Sequence, residues 1–181
     1  MKTKQKASIT LSLILILILL TGISCERLFP VDQLCTPRID FIGDELRIDG
    51  YFYHVFGPSG NEHMGVLFFF RNGVLHDITI PKVELEEREE EWRNNNWNER
   101  TTNSRFSWGV FTVDNDVIKL ERWYPGPPHI TAIREGVILN DTTFKIIKSY
   151  RCDGSGLRER HELYRFRAFY PKPDSTNNFV R

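Results

Sequence analysis

"RFSWGVFTVDNDVIKLERWY", residues 105–124, contains two runs of aromatic and β-branched residues on either side of Asp114-Asn115-Asp116. Such residues suit a pleated, half-buried surface, and the Asp-Asn-Asp trio suits a tight reversal, so the stretch reads as a β-hairpin. The same pattern recurs along most of the chain. Leu46–Phe56 ends at "GPSGN", Met64–Phe70 meets the Asn72-Gly73 pair, and Val74–Ile80 ends at Pro81. His129–Arg134, Val137–Leu139, Thr143–Tyr150 and Glu162–Tyr170 follow. In the last run Tyr164, Phe166, Ala168 and Tyr170 alternate with Leu163, Arg165, Arg167 and Phe169, a period of two with one mainly apolar face. Asn72-Gly73 suits a type I′ hairpin, in which both positions need positive φ. The expected fold is all-β: an antiparallel up-and-down β-barrel or strongly curved sheet of 8–9 strands, with one short inserted helix. Closure would remove the edges that so many aromatic strands would otherwise expose.

The insertion is "PKVELEEREEEWRNNNWNER", within residues 81–104. Proline at the start and six glutamates between Glu84 and Glu91 favour a helix N-terminus. Leu85 and Trp92 lie seven apart, on one helical face, whereas Trp97 falls off that stripe. Two readings are open. The segment is a lid carrying Trp92 and Trp97 as movable anchors, or a solvated crossover helix held by one tryptophan. The density of charge favours the second.

The N-terminus decides where the protein works. Lys2, Lys4 and Lys6 precede an apolar run from Ile9 to Leu20, then Thr21, Gly22 and Ser24 lead into Cys25. That order is expected of a secretory signal peptide. The uncharged stretch from Ala7 to Cys25 is also long enough to span a bilayer, which leaves an uncleaved anchor or an ordinary cleaved signal as alternatives. A small residue directly before a cysteine resembles the lipobox of bacterial lipoproteins. In that reading residues 1–24 are a signal peptide and Cys25 is the diacylated first residue of the mature protein. Two acyl chains suffice for stable anchoring. Residues 25–45 are then a tether, 46–170 a barrel domain and 171–181 a tail.

Cleavage removes three lysines and no acid, so formal charge moves from zero to −3. All 13 Phe, 6 Tyr and 4 Trp remain, enough for one core. A weakly acidic surface without clustered Lys and Arg argues against a nucleic-acid partner. Cys35 and Cys152 are then an even pair in an exported chain, either bridged across more than a hundred residues or left as two free thiols.

From Leu46 onward the chain resembles lipocalin-like, calycin-type lipoproteins of Gram-negative bacteria, a group largely without known function. The residues that carry this are "WGVF" (108–111), "VIKLERWYP" (117–125), "REGVILNDTTFKI" (134–146) and "PKPDSTNNFV" (171–180). The resemblance implies a β-barrel on a lipid-anchored protein of the cell envelope, on the outer membrane at its periplasmic face or surface. Calycin-type barrels often hold small apolar molecules, so a small hydrophobic or aromatic ligand is the implied partner.

Chemical motifs are sparse. His54, His63, His76, His129 and His161 show no metal-ligand spacing, and "HELYR" has Arg165 where a zinc helix needs its second histidine. No nucleophile elbow or Cys-x-x-Cys pair occurs, so no catalytic residue, metal or cofactor is expected and the protein is not read as an enzyme. "WYPGPPH" (123–129) would form a stiff aromatic rim, or no more than a rigid hairpin. With Trp108, its Trp123, Tyr124 and His129 are the candidate ligand contacts, at a mouth partly covered by the glutamate-rich helix. Trp123 and Tyr124 point to opposite sides, so at most one can line the interior. Thr142 and Ser175 sit in Asp-Ser/Thr-x patterns that resemble bacterial O-glycosylation sites, although both also read as turns. Against the binding module stands a structural or protein-interaction lipoprotein with a filled barrel. Inward Phe68, Phe70, Trp108, Phe144 and Phe166 would leave little room for a ligand.

Overall fold

Successive side chains of a strand face opposite sides of its sheet, and in this chain several strands are apolar on both. The computed structural model describes residues 33–94, 96–97, 99–125 and 130–181. Its strands are β1 (Gly50–Phe56), β2 (His63–Phe69), β3 (Val74–Pro81), β4 (Trp108–Asp114), β5 (Val117–Trp123), β6 (Thr131–Asn140), β7 (Thr143–Tyr150) and β8 (Arg158–Ala168). Each pairs antiparallel with the next, and β1 pairs with β8, with Phe52 opposite Phe166, to close the barrel.

Nine sequence runs become eight strands because two of them join as β6. The ladder to β7 shifts register at Glu135/Gly136, where a Cβ on Gly136 would stand 2.3 Å from the Lys145 carbonyl oxygen. The Asn72-Gly73 turn also differs from expectation. Among the two only Gly73 has positive φ, at 74°. The Phe70 carbonyl accepts the Gly73 N–H, and the Phe70 N–H reaches the Val74 carbonyl, each at 3.0 Å. This is a three-residue loop with a glycine bulge, not a type I′ turn. Backbone packing requires that glycine, since a Cβ there would lie 2.2 Å from the Ile39 oxygen.

Two hydrophobic clusters occupy the two sides of the wall. One draws on all eight strands and fills the barrel, with Phe52, Phe69, Phe111, Leu120, Ile138, Phe144 and Tyr164 among its members. The other lies outside β1–β4 and includes Tyr51, Val66, Phe68, Trp108 and Val110. The insertion covers this outer wall. Helix α1 (Leu85–Arg93) buries Trp92 against it, and Trp97 stacks on Trp92 with centroids 5.4 Å apart and planes 4° apart. Trp97 therefore packs despite lying off the helical stripe. A four-residue helix, α2 (Glu99–Thr102), leads back towards β4. Buried Glu89 pins α1: it accepts the Tyr51 hydroxyl at 2.6 Å and pairs with Arg167 at 2.9 Å and Arg93 at 3.1 Å. Burial and that hydrogen bond push the Tyr51 phenol upward. The helix is thus neither a lid over a mouth nor a merely solvated crossover.

Two boundaries need correction. Residues 33–45, expected as tether, join the domain: Phe41 is buried in the barrel cluster and its N–H donates to the Arg71 carbonyl at 2.8 Å. The tail packs as well, with Val180 in the outer cluster and Phe179 packed against it. Cys25 lies outside the described residues.

Cys35 and Cys152 form a disulfide that spans 117 residues of sequence. The chain-entropy model assigns such a loop about 4–5 kcal/mol, though delivered values are often smaller. Cys35→Ser and Cys152→Ser should each lower the denaturation midpoint by a similar amount, and the double variant should add nothing to either. Additive losses in chemical denaturation would remove the bridge from the stability of the fold.

His76 is fully buried in the outer cluster, with its ring 4.3 Å from Trp108 and 17° from parallel. Burial pushes its pKa down to about 4 from 6.5, against smaller opposing effects from Asp77 and the Thr101 backbone. The unfolded chain therefore takes up this proton at a higher pH than the folded one. Stability should fall as pH drops from 6.5 towards 4, by up to about 3 kcal/mol. Denaturation of His76→Phe at several pH values should lose that segment of the slope; an unchanged slope assigns it to other groups.

Candidate functional site

The interior-facing positions divide the barrel into two halves. At one end the turns are short and the N-terminal segment crosses over them. Arg71 donates to the Phe41 carbonyl at 3.2 Å and the Gly43 carbonyl at 2.7 Å, while Phe41 and Leu46 are buried inside the barrel. Aromatics fill the space above: the Phe144 and Tyr164 rings stack at 4.8 Å, and Phe69 packs on Phe111 at 4.7 Å. This end is closed.

The other half is polar. Register places Leu67 opposite Asp77, Gly109 opposite Arg122, Leu120 opposite Arg134 and Ile146 opposite Glu162, so these charges share the inward face. The Asp77 carboxylate accepts a hydrogen bond from Arg134 at 2.6 Å and forms an ion pair with Arg122 Nε at 2.8 Å. Arg134 also donates to the Tyr164 hydroxyl at 3.0 Å and lies 3.6 Å from Glu162. Burial pushes the Tyr164 phenol upward, which keeps it a neutral partner. Arg122 additionally donates to the Phe106 carbonyl at 2.8 Å, and its guanidinium lies 4.4 Å from the Tyr124 ring centroid. Towards the rim the inward-facing positions become exposed, as at Thr79 and Arg158. This end opens to solvent.

A cavity of about 210 Å³ lies at this open end, between the ends of β5 to β8. Tyr124, Ala132, Ser149, Arg151, Arg158 and Arg160 are among the residues around it. Arg160 donates to the Ser149 hydroxyl at 3.0 Å and lies 3.8 Å from Glu162.

Of the expected contacts among the described residues, Tyr124 alone lines this cavity. Trp108 belongs to the outer cluster, stacked on His76, with its indole N–H donating to the Thr102 carbonyl at 2.8 Å. Trp123 also faces outward, in a groove of about 610 Å³ between the N-terminal segment and the tail. Neither tryptophan can touch a molecule inside the barrel. Their strand parity is the reason: both alternate with interior positions, Gly109 and Arg122. His129 lies outside the described residues. Phe144 and Phe166 point inward, whereas Phe68, Phe70 and Trp108 point to the covered outer wall. Thr142 and Ser175 are half-buried and hydrogen-bonded: Thr142 donates to Asn140 at 2.8 Å, and Ser175 accepts from Asn72 at 3.0 Å.

Glu121 is fully buried on the outer face of β5, beside the disulfide. It accepts the amides of Thr36 at 2.6 Å and Cys35 at 3.1 Å, and so seats the N-terminal segment. Two cysteines and a carboxylate this close have the composition of a metal site, but the bridge commits both sulfurs to each other.

Compared with known proteins, the chain matches no protein-family model, no curated protein and no solved structure.

Removing one side of a buried ion pair leaves the other charge uncompensated, typically at about 3–5 kcal/mol. Arg134→Met and Asp77→Leu should each lower unfolding free energy by that order. The double variant should cost clearly less than the two single losses combined, since neither residue then leaves the other stranded. Strict additivity in a denaturant double-mutant cycle would mean that the pair does not act as a unit.

Proposed function

We propose that this protein is a lipid-anchored binding module of the bacterial cell envelope, held at the outer membrane by Cys25, whose barrel receives a small molecule at its polar open end. The observation that carries this reading is the asymmetry of the interior. One half is packed solid, and the other carries an inward array of charged and hydroxyl groups beside an open cavity. Burying charges inside a barrel costs stability that an apolar filling would not, which fits a site under functional demand. A purely hydrophobic ligand deep in the barrel, as the lipocalin-like resemblance implies, is disfavoured because Phe52, Phe69, Phe111 and Phe144 occupy that volume. The closed eight-stranded barrel agrees with the resemblance in architecture, and the order of lysines, apolar run and small residues before Cys25 supports the anchor.

A second reading, a structural or protein-interaction lipoprotein, is favoured by the same packed half. Native mass spectrometry of the mature protein from its own host separates the two: a co-purifying small molecule supports the binding module, and its consistent absence supports the structural alternative. For the anchor, Cys25→Ala should abolish incorporation of labelled fatty acid and release the protein from the membrane fraction. Continued labelling of the variant would overturn lipidation at this residue.

A further inference from the structure

The cavity at the open end is lined by three arginines and, among the described residues, by no carboxylate. Arg151, Arg158 and Arg160 all border it, together with the Ser149 hydroxyl and the Tyr124 ring. Arg160 is oriented by Ser149 at 3.0 Å, and Ser149 is itself buried. Its nearest acid, Glu162, stands 3.8 Å away and is shared with Arg134. Arg151 and Arg158 have no ion-pair partner among the described residues. Asp153, in the same loop as Arg151, does not line the cavity; hydrogen bonds from Ser155, with the amide at 2.9 Å, and more weakly the charge of Arg151 hold its carboxyl below the usual range. Deeper in the barrel Asp77 is already engaged by Arg122 and Arg134. Of the residues that line the cavity itself, Arg151, Arg158 and Arg160 carry charge, and all three are cationic.

Like charges brought together without counter-ions repel one another, unless something of opposite sign sits between them. Planar guanidinium groups are matched to oxyanions, which they bind through paired, charge-assisted hydrogen bonds. From this arrangement we infer that the open end binds an oxyanion, a phosphate or carboxylate group, among Arg151, Arg158 and Arg160, with the Ser149 hydroxyl at its inner edge. The inference rests on the binding-module reading and adds the chemical class of the ligand. About 210 Å³ is less than a drug-sized ligand takes, so the bound part is compact. The Tyr124 ring offers a flat apolar flank to whatever carries the anion.

The oxyanion could arrive on a free small molecule or as a lipid headgroup, and two arms separate these sources. The first titrates inorganic phosphate into the mature protein in detergent and follows 31P line broadening at low salt. The second measures co-sedimentation of the mature chain carrying Cys25→Ala with vesicles of phosphatidylethanolamine containing one-fifth phosphatidylglycerol. Saturable binding in either arm is expected. Arg158→Gln or Arg160→Gln should weaken it about tenfold, and raised salt should weaken it further. Arg165→Gln, an exposed outward position on the same strand, should leave it unchanged. Arg158 is exposed and unpaired, so its variant should keep the wild-type melting temperature and report on binding alone. Absence of binding in both arms, or equal binding by the arginine variants, overturns the oxyanion site. If a neutral molecule co-purifies while both arms fail, the ligand class is wrong and the binding module stands. If nothing co-purifies and both arms fail, both readings fall.

Discussion

Strands β1 to β4 are apolar on both faces, and that constraint shapes the rest of the molecule. In β2, Leu67 and Phe69 face the barrel interior while Met64, Val66 and Phe68 face outward, and all five are almost wholly excluded from solvent. A closed barrel buries only the first set. Each large apolar side chain left in water would forgo about 1.5–3 kcal/mol, so the outer set must be covered by other parts of the chain. The 81–107 insertion and the C-terminal tail supply that cover, with Trp92, Trp97, Phe179 and Val180 against the wall. Glu89, which binds Tyr51 of β1 and Arg167 of β8, fixes where the helix lies. The glutamate run thus has two faces with different roles: Glu89 is a buried clamp, while Arg88 draws Glu84 and Glu91 into half-exposed pairs along the helix.

The same constraint frees the open end. Because the helix and the tail lie against the side of the barrel, the mouth is not sealed by them. What limits access is the interior itself, where the Phe144–Tyr164 stack forms a floor. The Tyr164 hydroxyl sits on the border, with its ring in the aromatic floor and its oxygen on Arg134. Charge begins where apolar packing ends, and the buried ion pairs hold the upper walls of β3, β5, β6 and β8 in one arrangement. This matters most beside β3. It pairs with β4 only at Val74 to His76, so the Asp77–Arg122 contact ties β3 to β5 just beyond the end of that ladder.

The barrel was legible in the sequence because hairpin signals are local. Aromatic and β-branched runs, broken by "DND" and "NDT", specify neighbouring antiparallel strands without any long-range information. The assignment of faces was not legible in the same way. A strand apolar on both sides gives no parity, so nothing in "SWGVF" says that Trp108 points outward and Phe111 inward. A usable signal did exist in the charged residues. Asp77 follows Leu75 by two, Arg122 follows Leu120 by two, and Glu162 precedes Tyr164 by two, each on a face that is otherwise apolar. A charge at such a position on several strands marks a polar interior. The Asn72-Gly73 geometry depended on the approach of Ile39, a contact from a segment that reads as a polar tether.

The disulfide fixes where the N-terminal segment meets the barrel. From Cys35 the chain runs to Phe41 and the closed end, while Cys152 follows β7 at the open end. The bridge therefore fixes the start of the folded domain beside the mouth, and Glu121 holds that start by the amides of Cys35 and Thr36. Only nine residues lie between Cys25 and Cys35, a span of at most about 35 Å when fully extended. A lipid on Cys25 would hold the mouth, not the plugged end, within that distance of the bilayer. Without the bridge that start would be held only by hydrogen bonds, chiefly those of the Cys35 and Thr36 amides to Glu121. Were Cys25 lipidated as proposed, the clip would favour the open end as the one facing the bilayer, independently of how much stability it adds.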